Sequence, residues 1–145
     1  MIKILLLTLL LSASLPAAAQ NDVKEREDFR AYLFNNEYQV YLRINLYDQD
    51  VQVPGQDLYG PLPGYLGKQH NSFCWVITSC QVDNEQRKAT LQLINDFGSE
   101  DLVATLQRQN DTLYLLHQGA GSTIKVPHQG KWRKLPKTLY FIRKR

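Results

Sequence analysis

The sequence predicts a single all-β domain, most simply an antiparallel up-and-down (meander) barrel or near-barrel, with a β-sandwich as the runner-up. Three observations predict it. Apolar and polar residues alternate through segment after segment from Tyr38 onward. Clusters of Asp, Asn, Gly and Ser separate these segments at spacings of roughly 8–12 residues. The strands follow one another without long crossovers, and closing the sheet removes the unpaired edges that an open one exposes.

The first residues are read apart from that domain. Met1–Ala19 begins with the positive Lys3 and runs through the apolar Ile4–Leu11, broken only by Thr8, to Pro16 and then Ala17-Ala18-Ala19. This is the three-part layout of a secretory signal peptide cleaved at about Ala19-Gln20. The apolar run is far short of the ~20 residues that span a bilayer, and no later segment is long and apolar enough to do so. The expectation is a secreted or periplasmic chain without a transmembrane segment, divided as 1–19 signal peptide, 20–36 N-terminal segment and 37–145 barrel with a basic C-terminal segment.

Within 20–36, Asp22 as N-cap and Glu25 three residues on predict a short helix. Phe29, Tyr32 and Leu33 would form its apolar face and Asn35-Asn36 its end, although Phe29–Phe34 could also extend as a strand. The clearest strand signal follows, with Tyr38, Val40, Leu42, Ile44 and Leu46 alternating against Gln39, Tyr41, Arg43, Asn45 and Tyr47. Asp48-Gln49-Asp50 turns the chain, and Val51 and Val53 are expected to continue the apolar face on a short return. Pro54–Gly67 holds three prolines and four glycines, which predicts an ordered loop with at most a short strand near Tyr65-Leu66. Strands are then expected over Phe73–Val82, around Ala89–Leu93, around Leu102–Leu106, at Leu113–Leu115, at Ile124–Val126 and over Leu139–Ile142. In outline the chain resembles small exported up-and-down barrels such as the lipocalins. It lacks a lipocalin Gly-x-Trp near the first strand, and no family residue is carried over.

An exported chain favours disulfides, and Cys74 and Cys80 are the only pair. The intervening Trp75-Val76-Ile77-Thr78 is strongly strand-forming, and six extended residues span roughly 20 Å. A disulfide needs Cα atoms about 4.4–6.8 Å apart. An unbroken strand with two buried free thiols on the same face is favoured, and a tight bend closed by a Cys74–Cys80 bridge is the alternative.

Catalytic signals are weak. His70, His117 and His128 lie in three separate segments, and neither His-Glu-x-x-His nor Gly-x-Ser-x-Gly occurs. Cys74 with His70 as base would make a small hydrolase conceivable, but a cysteine between Phe73 and Trp75 reads as a buried small hydrophobe. Asp48, Asp50 and Asp57, and the Asn95-Asp96-x-x-Ser99-Glu100-Asp101 run, offer oxygen ligands suited to calcium. Their spacing is not that of a calcium loop, and these are also the residues that turns require. Gly119-Ala120-Gly121-Ser122-Thr123 lacks the ending of a phosphate loop and reads as a hairpin turn. No catalytic residue, metal or cofactor is assigned.

Charge is distributed unevenly. From Lys125 to Arg145 there are eight basic residues and no acidic one, whereas Gln20–Ile124 holds eight basic and all fourteen acidic residues. Lys131, Trp132, Arg133 and Lys134 could therefore meet a polyanion or a glycan, or simply blunt an edge. Nucleic acid fits the charge but not the compartment. Tyr41, Arg43 and Tyr47 share the polar face of the first predicted strand, and Tyr and Arg are frequent interface anchors. These observations predict an exported, non-enzymatic binding protein. Its target would be a protein partner, in an inhibitor- or immunity-like role, or a small ligand in the barrel, with a polyanion or glycan surface as the alternative. Mass spectrometry of the exported protein should find Gln20 as its first residue; an exported chain that retains Met1–Ala19 would contradict the signal reading.

Overall fold

Period-two patterning fixes which side chains of a strand face inward, and in this chain it closes a sheet on itself. The computed structural model describes residues 27–145. Its strands are β1 (Arg30–Asn35), β2 (Val40–Asn45), β3 (Gly64–Lys68), β4 (Cys74–Asp83), β5 (Lys88–Asn95), β6 (Asp101–Arg108), β7 (Leu113–Gly121), β8 (Lys125–His128), β9 (Lys131–Lys134) and β10 (Thr138–Lys144). Eight of them form a closed antiparallel barrel in the order β1-β10-β7-β6-β5-β4-β3-β2, and β8 and β9 pair as a separate hairpin. The barrel prediction holds, and the sandwich is set aside.

The interior is filled by the protein's own side chains. Leu42, Leu66, Trp75, Ile77, Leu91, Leu93, Leu106, Leu116 and Phe141 form one buried cluster with Phe29 and Leu33. Burying side chains of this size contributes roughly 1.5–3 kcal/mol each, which offsets the ordering entropy of so many short strands.

Three sequence expectations are corrected. Phe29–Phe34 does not present a helical face: Glu27 and Asp28 are helical, and the chain is extended from Arg30. Phe29, Ala31 and Leu33 point inward at period two, and β1 gains two ladders, with β2 and β10. The barrel therefore begins at Arg30, within the segment assigned to 20–36. The predicted helix start at Asp22 and Glu25 and the signal segment lie outside the described residues. Gln118–Gly121 is not a hairpin turn but the end of β7, with a register shift against β6. Gly119 is needed there because a Cβ would come within 2.8 Å of the Val103 carbonyl oxygen. Val51 and Val53 do not extend the inner face. Val51 bridges Leu62, and Val53 is buried against the outer wall with Tyr65, Cys74 and Val76.

The two ends are closed differently. At one end the β8–β9 hairpin, inserted between β7 and β10, folds over the opening as a lid. Its flanking Ile124 and Leu135, and Val126 within it, enter the main core. Buried Gln118 holds both legs of the lid, accepting from Ile124 N at 2.7 Å and donating to Pro136 O at 2.9 Å. Trp75 Nε1 donates to Lys125 O at 2.9 Å, so the largest core side chain is tied to the lid backbone. The other end forms a floor around Asp28. Its carboxylate pairs with Arg108 at 2.5 Å, its carbonyl accepts from the Tyr114 hydroxyl, and Arg108 also reaches Asp111 at 2.7 Å. Arg143 donates to Tyr114 Oη at 3.2 Å and to the carbonyls of Glu27 and Arg30, tying the last strand to the first.

Both members of the Asp28–Arg108 pair are buried, so removing Asp28 takes away the buried counter-charge of Arg108 and leaves it the exposed Asp111. Asp28→Ala should cost about 3 kcal/mol in urea unfolding, and Asp28→Ala with Arg108→Met should recover much of it. A loss below about 1 kcal/mol for the single variant would mean that the floor network does not hold the end closed.

Candidate functional site

Filling the interior leaves the outer wall and the mouth as the surfaces that can recognise anything. On the wall, the alternation that sends Leu33, Leu42 and Leu66 inward sends Tyr32, Tyr41, Arg43 and Tyr65 outward. Register then brings them together: Arg43 lies opposite Tyr32 on one side and Tyr65 on the other. Tyr32 stacks on Tyr41 at 5.4 Å, and Tyr41 meets Tyr65 edge-on at 5.8 Å. The Tyr41 ring lies directly over Gly67, where a Cβ would meet it at 2.4 Å, so that glycine lets the ring lie down on β3.

A strap over the wall completes this site. Residues 48–63 run back across β3 and β4, with a short 3-10 turn at Asp57–Tyr59 and with Gln56 Nε2 donating to Asp96 Oδ1. Asn45, buried at the end of β2, anchors the start of the strap by donating to Asp48 at 3.2 Å and Asp50 at 3.0 Å. Wall and strap enclose an open groove of about 610 Å³ lined by Arg30, Tyr32, Arg43, Asp50, Gln52, Pro54 and Tyr65. Continuing round the wall, Tyr140 (55% exposed), Ile142 (48%), Tyr32 (36%) and half-buried Phe34 form a neighbouring aromatic and aliphatic strip. Lys144 Nζ lies 5.4 Å from the centre of the Phe34 ring.

Of the residues singled out in the sequence, Tyr41 and Arg43 are therefore together, and Tyr47 is not with them. β2 ends at Asn45, the chain bends, and Tyr47 turns back to the floor, where its hydroxyl accepts from Phe29 N at 3.2 Å and its ring packs 6.5 Å from that of Phe29. Lys131, Trp132, Arg133 and Lys134 are together on β9 of the lid. Arg133 is engaged within the molecule, its guanidinium 4.3 Å from the centre of the Tyr38 ring. Close by, Lys68 is buried and donates to Tyr38 O at 2.9 Å; burial, then the Arg133 charge, lowers its pKa. The eight C-terminal basic residues do not form one stripe. β10 runs from the lid end to the floor end, seven residues at about 3.3 Å each, and carries Arg143 and Lys144 away from the lid.

Tyr32 and Tyr65 were missed as site residues. Tyr32 stood on the predicted helix, and Tyr65 joins the site only through pairing with β2. Among the described residues there is no cluster of three or more His, Cys, Asp or Glu that could hold a metal ion, and no helix is long and apolar enough to cross a membrane.

Both cysteines are free thiols, but they do not share a face. Thr78 is an extra residue between the Ile77–Leu93 and Ser79–Gln92 pairs, and such a bulge reverses parity. Cys74 packs outward under the strap, and Cys80 inward against the core. Burial, then the Asp96 charge, pushes the Cys74 thiol up to about 11, so it stays protonated near neutral pH and is a poor nucleophile. Burial, followed by a hydrogen bond with Tyr41, pushes Tyr65 up to about 12. Tyr32 is also raised, first by burial and then by Tyr41, against the lowering effect of Arg43.

Comparison with protein-family models, curated proteins and solved structures finds no match.

The raised Cys74 and Tyr65 values make the wall alkali-sensitive. Between pH 9.0 and about 11 an unfolded chain has lost the Cys74 proton that the folded chain keeps, so stability falls as pH rises through that window. Tyr65 extends the fall from 10.0 towards about 12. Urea titrations across the window should show a loss of order 2 kcal/mol from Cys74, absent in Cys74→Ala. Equal slopes for both proteins would show that the strap does not keep this thiol dry.

Proposed function

We propose that this chain is an exported, non-enzymatic binding protein that takes a protein partner, as an inhibitor or an immunity protein does, on the outer wall of its barrel. The observation that carries the reading is the contrast between a filled interior and an exposed aromatic wall. A ligand held inside the barrel would have to displace Trp75, Phe141 and the leucines around them. Outside, Tyr32, Tyr140 and Ile142 keep apolar area in solvent, with half-buried Tyr41 beside them and Tyr65 buried beneath it. Clustered exposed apolar side chains mark docking surfaces, and Tyr and Arg are frequent interface anchors. Arg30, Arg43 and Lys144 beside the strip suit a partner with an apolar centre and an acidic rim. Export rests on the Met1–Ala19 pattern.

A polyanion or glycan surface is the second reading, favoured by exposed Lys131, Lys134 and Lys137 at the lid end. It is weakened by the commitment of Arg133 to Tyr38 and by the separation of Arg143 and Lys144 from the lid. A hydrolase built on Cys74 draws no support from a thiol covered by the strap.

With a partner captured from the exported fraction and then purified, Tyr32→Ala and Tyr140→Ala should each weaken binding tenfold or more, about 1.4 kcal/mol, and binding should persist in high salt. Lys131→Ala with Lys134→Ala should leave it within twofold. The reverse pattern, with binding lost in high salt, would replace the wall with the lid.

A further inference from the structure

We infer that the mouth of the barrel carries a second, separate site, an aromatic pocket that takes one neutral pyranose ring of a saccharide. The pocket lies between the lid and the β5–β6 turn, holds about 200 Å³, and has Phe73 and Trp75 at its base. Phe97 stands on the turn with its ring 6.2 Å from Phe73, and Trp132 stands on β9 with its ring 4.9 Å from Phe73 and nearly perpendicular to it. Both flanking rings are open to solvent, Phe97 at 75% and Trp132 at 57% exposure. A phenylalanine so exposed at the tip of a turn gains little from the fold itself; a ligand seated between it and Trp132 would cover it.

The polar groups of the pocket select the ligand class. Lys125 Nζ and Glu100 Oε1 lie 3.4 Å apart, both half-exposed and both lining the pocket. A cation would meet the Lys125 charge and an anion the Glu100 charge, so neither is favoured. A wholly apolar ligand would strip water from the ion pair and return no hydrogen bond. Asn95 and Ser99, which also line the pocket, are bonded to each other within the turn, and a pyranose ring suits the remaining groups: its C–H face lies against an aromatic face, while neighbouring hydroxyls accept from the ammonium and donate to the carboxylate. The volume is below the ~300–1,000 Å³ of pockets for drug-sized ligands, which matches one ring and not a buried chain. The ring could be a free sugar or the end of a glycan, since both present the same face and edge.

The test is an NMR titration of the mature chain with glucose, galactose, mannose and N-acetylglucosamine, each as the free sugar and as its methyl glycoside. At least one should give saturable shifts confined to the Phe73, Phe97, Trp132 and Lys125 signals, with a Kd of order 1 mM. A methyl glycoside that binds as well as the free sugar assigns the site to a glycan end; a glycoside that binds tenfold worse assigns it to the free sugar. Phe97→Ala, Trp132→Ala and Glu100→Gln should each weaken binding tenfold or more with unchanged thermal unfolding, and Tyr32→Ala should have no effect. The inference is overturned if none of these sugars shifts the pocket signals, if tetramethylammonium or benzoate does so in their place, or if Phe97→Ala binds as tightly as the parent. The outer-wall variants leave this pocket intact, so the two sites fail independently.

Discussion

Everything in this molecule depends on β1 lying between β2 and β10. Without that double pairing the sheet would expose two edges, and the apolar sides of β2 and β10 would face water across a gap. With it, Phe29 and Leu33 enter the interior, Asp28 meets Arg108 at the floor, and Arg143 on the last strand reaches the carbonyls at the start of the first. β1 and β10 are far apart in sequence, so their pairing closes the longest loop in the barrel and costs the most chain entropy. The floor network fixes that contact in register.

Closure also determines where recognition can happen. Eight short strands enclose a narrow space, and the Trp, Phe, Tyr and Leu side chains of this chain fill it. The same alternation that packs the inside places Arg30 and Tyr32 of β1, Tyr41 and Arg43 of β2 and Tyr65 of β3 on the outer wall. The strap then buries Val53 on the wall and bounds a groove without covering the aromatic strip beside it. At the mouth the lid does for the end what β1 does for the side, and leaves Trp132 and Phe97 lining one small pocket.

The barrel was legible because alternation is local: Val40–Leu46, Ala89–Leu93 and Leu102–Leu106 each report their own inner face. What was not legible depends on partners distant in sequence. Phe29, Tyr32 and Leu33 fit a helical spacing as well as Phe29, Ala31 and Leu33 fit a strand, and only pairing with β10 decides between them. One extra residue, Thr78, separates the faces of Cys74 and Cys80, and nothing in Thr78 itself announces a bulge. Gln118–Gly121 reads as a turn because glycine serves turns and close strand approaches equally. Tyr41 and Arg43 were visible as a pair on one face, but Tyr32 and Tyr65 join them only through register. The basic C-terminal stretch is continuous in sequence and divided in space, because β10 carries its last residues the length of the barrel.

The most direct measurement is hydroxyl-radical footprinting of the chain, free and bound to a purified protein that it captures. Recognition on the outer wall predicts loss of oxidation at Tyr32, Tyr41 and Tyr140, with Phe97 and Trp132 as reactive as before. Protection confined to Trp132 and the lid, with the wall tyrosines unchanged, would contradict it.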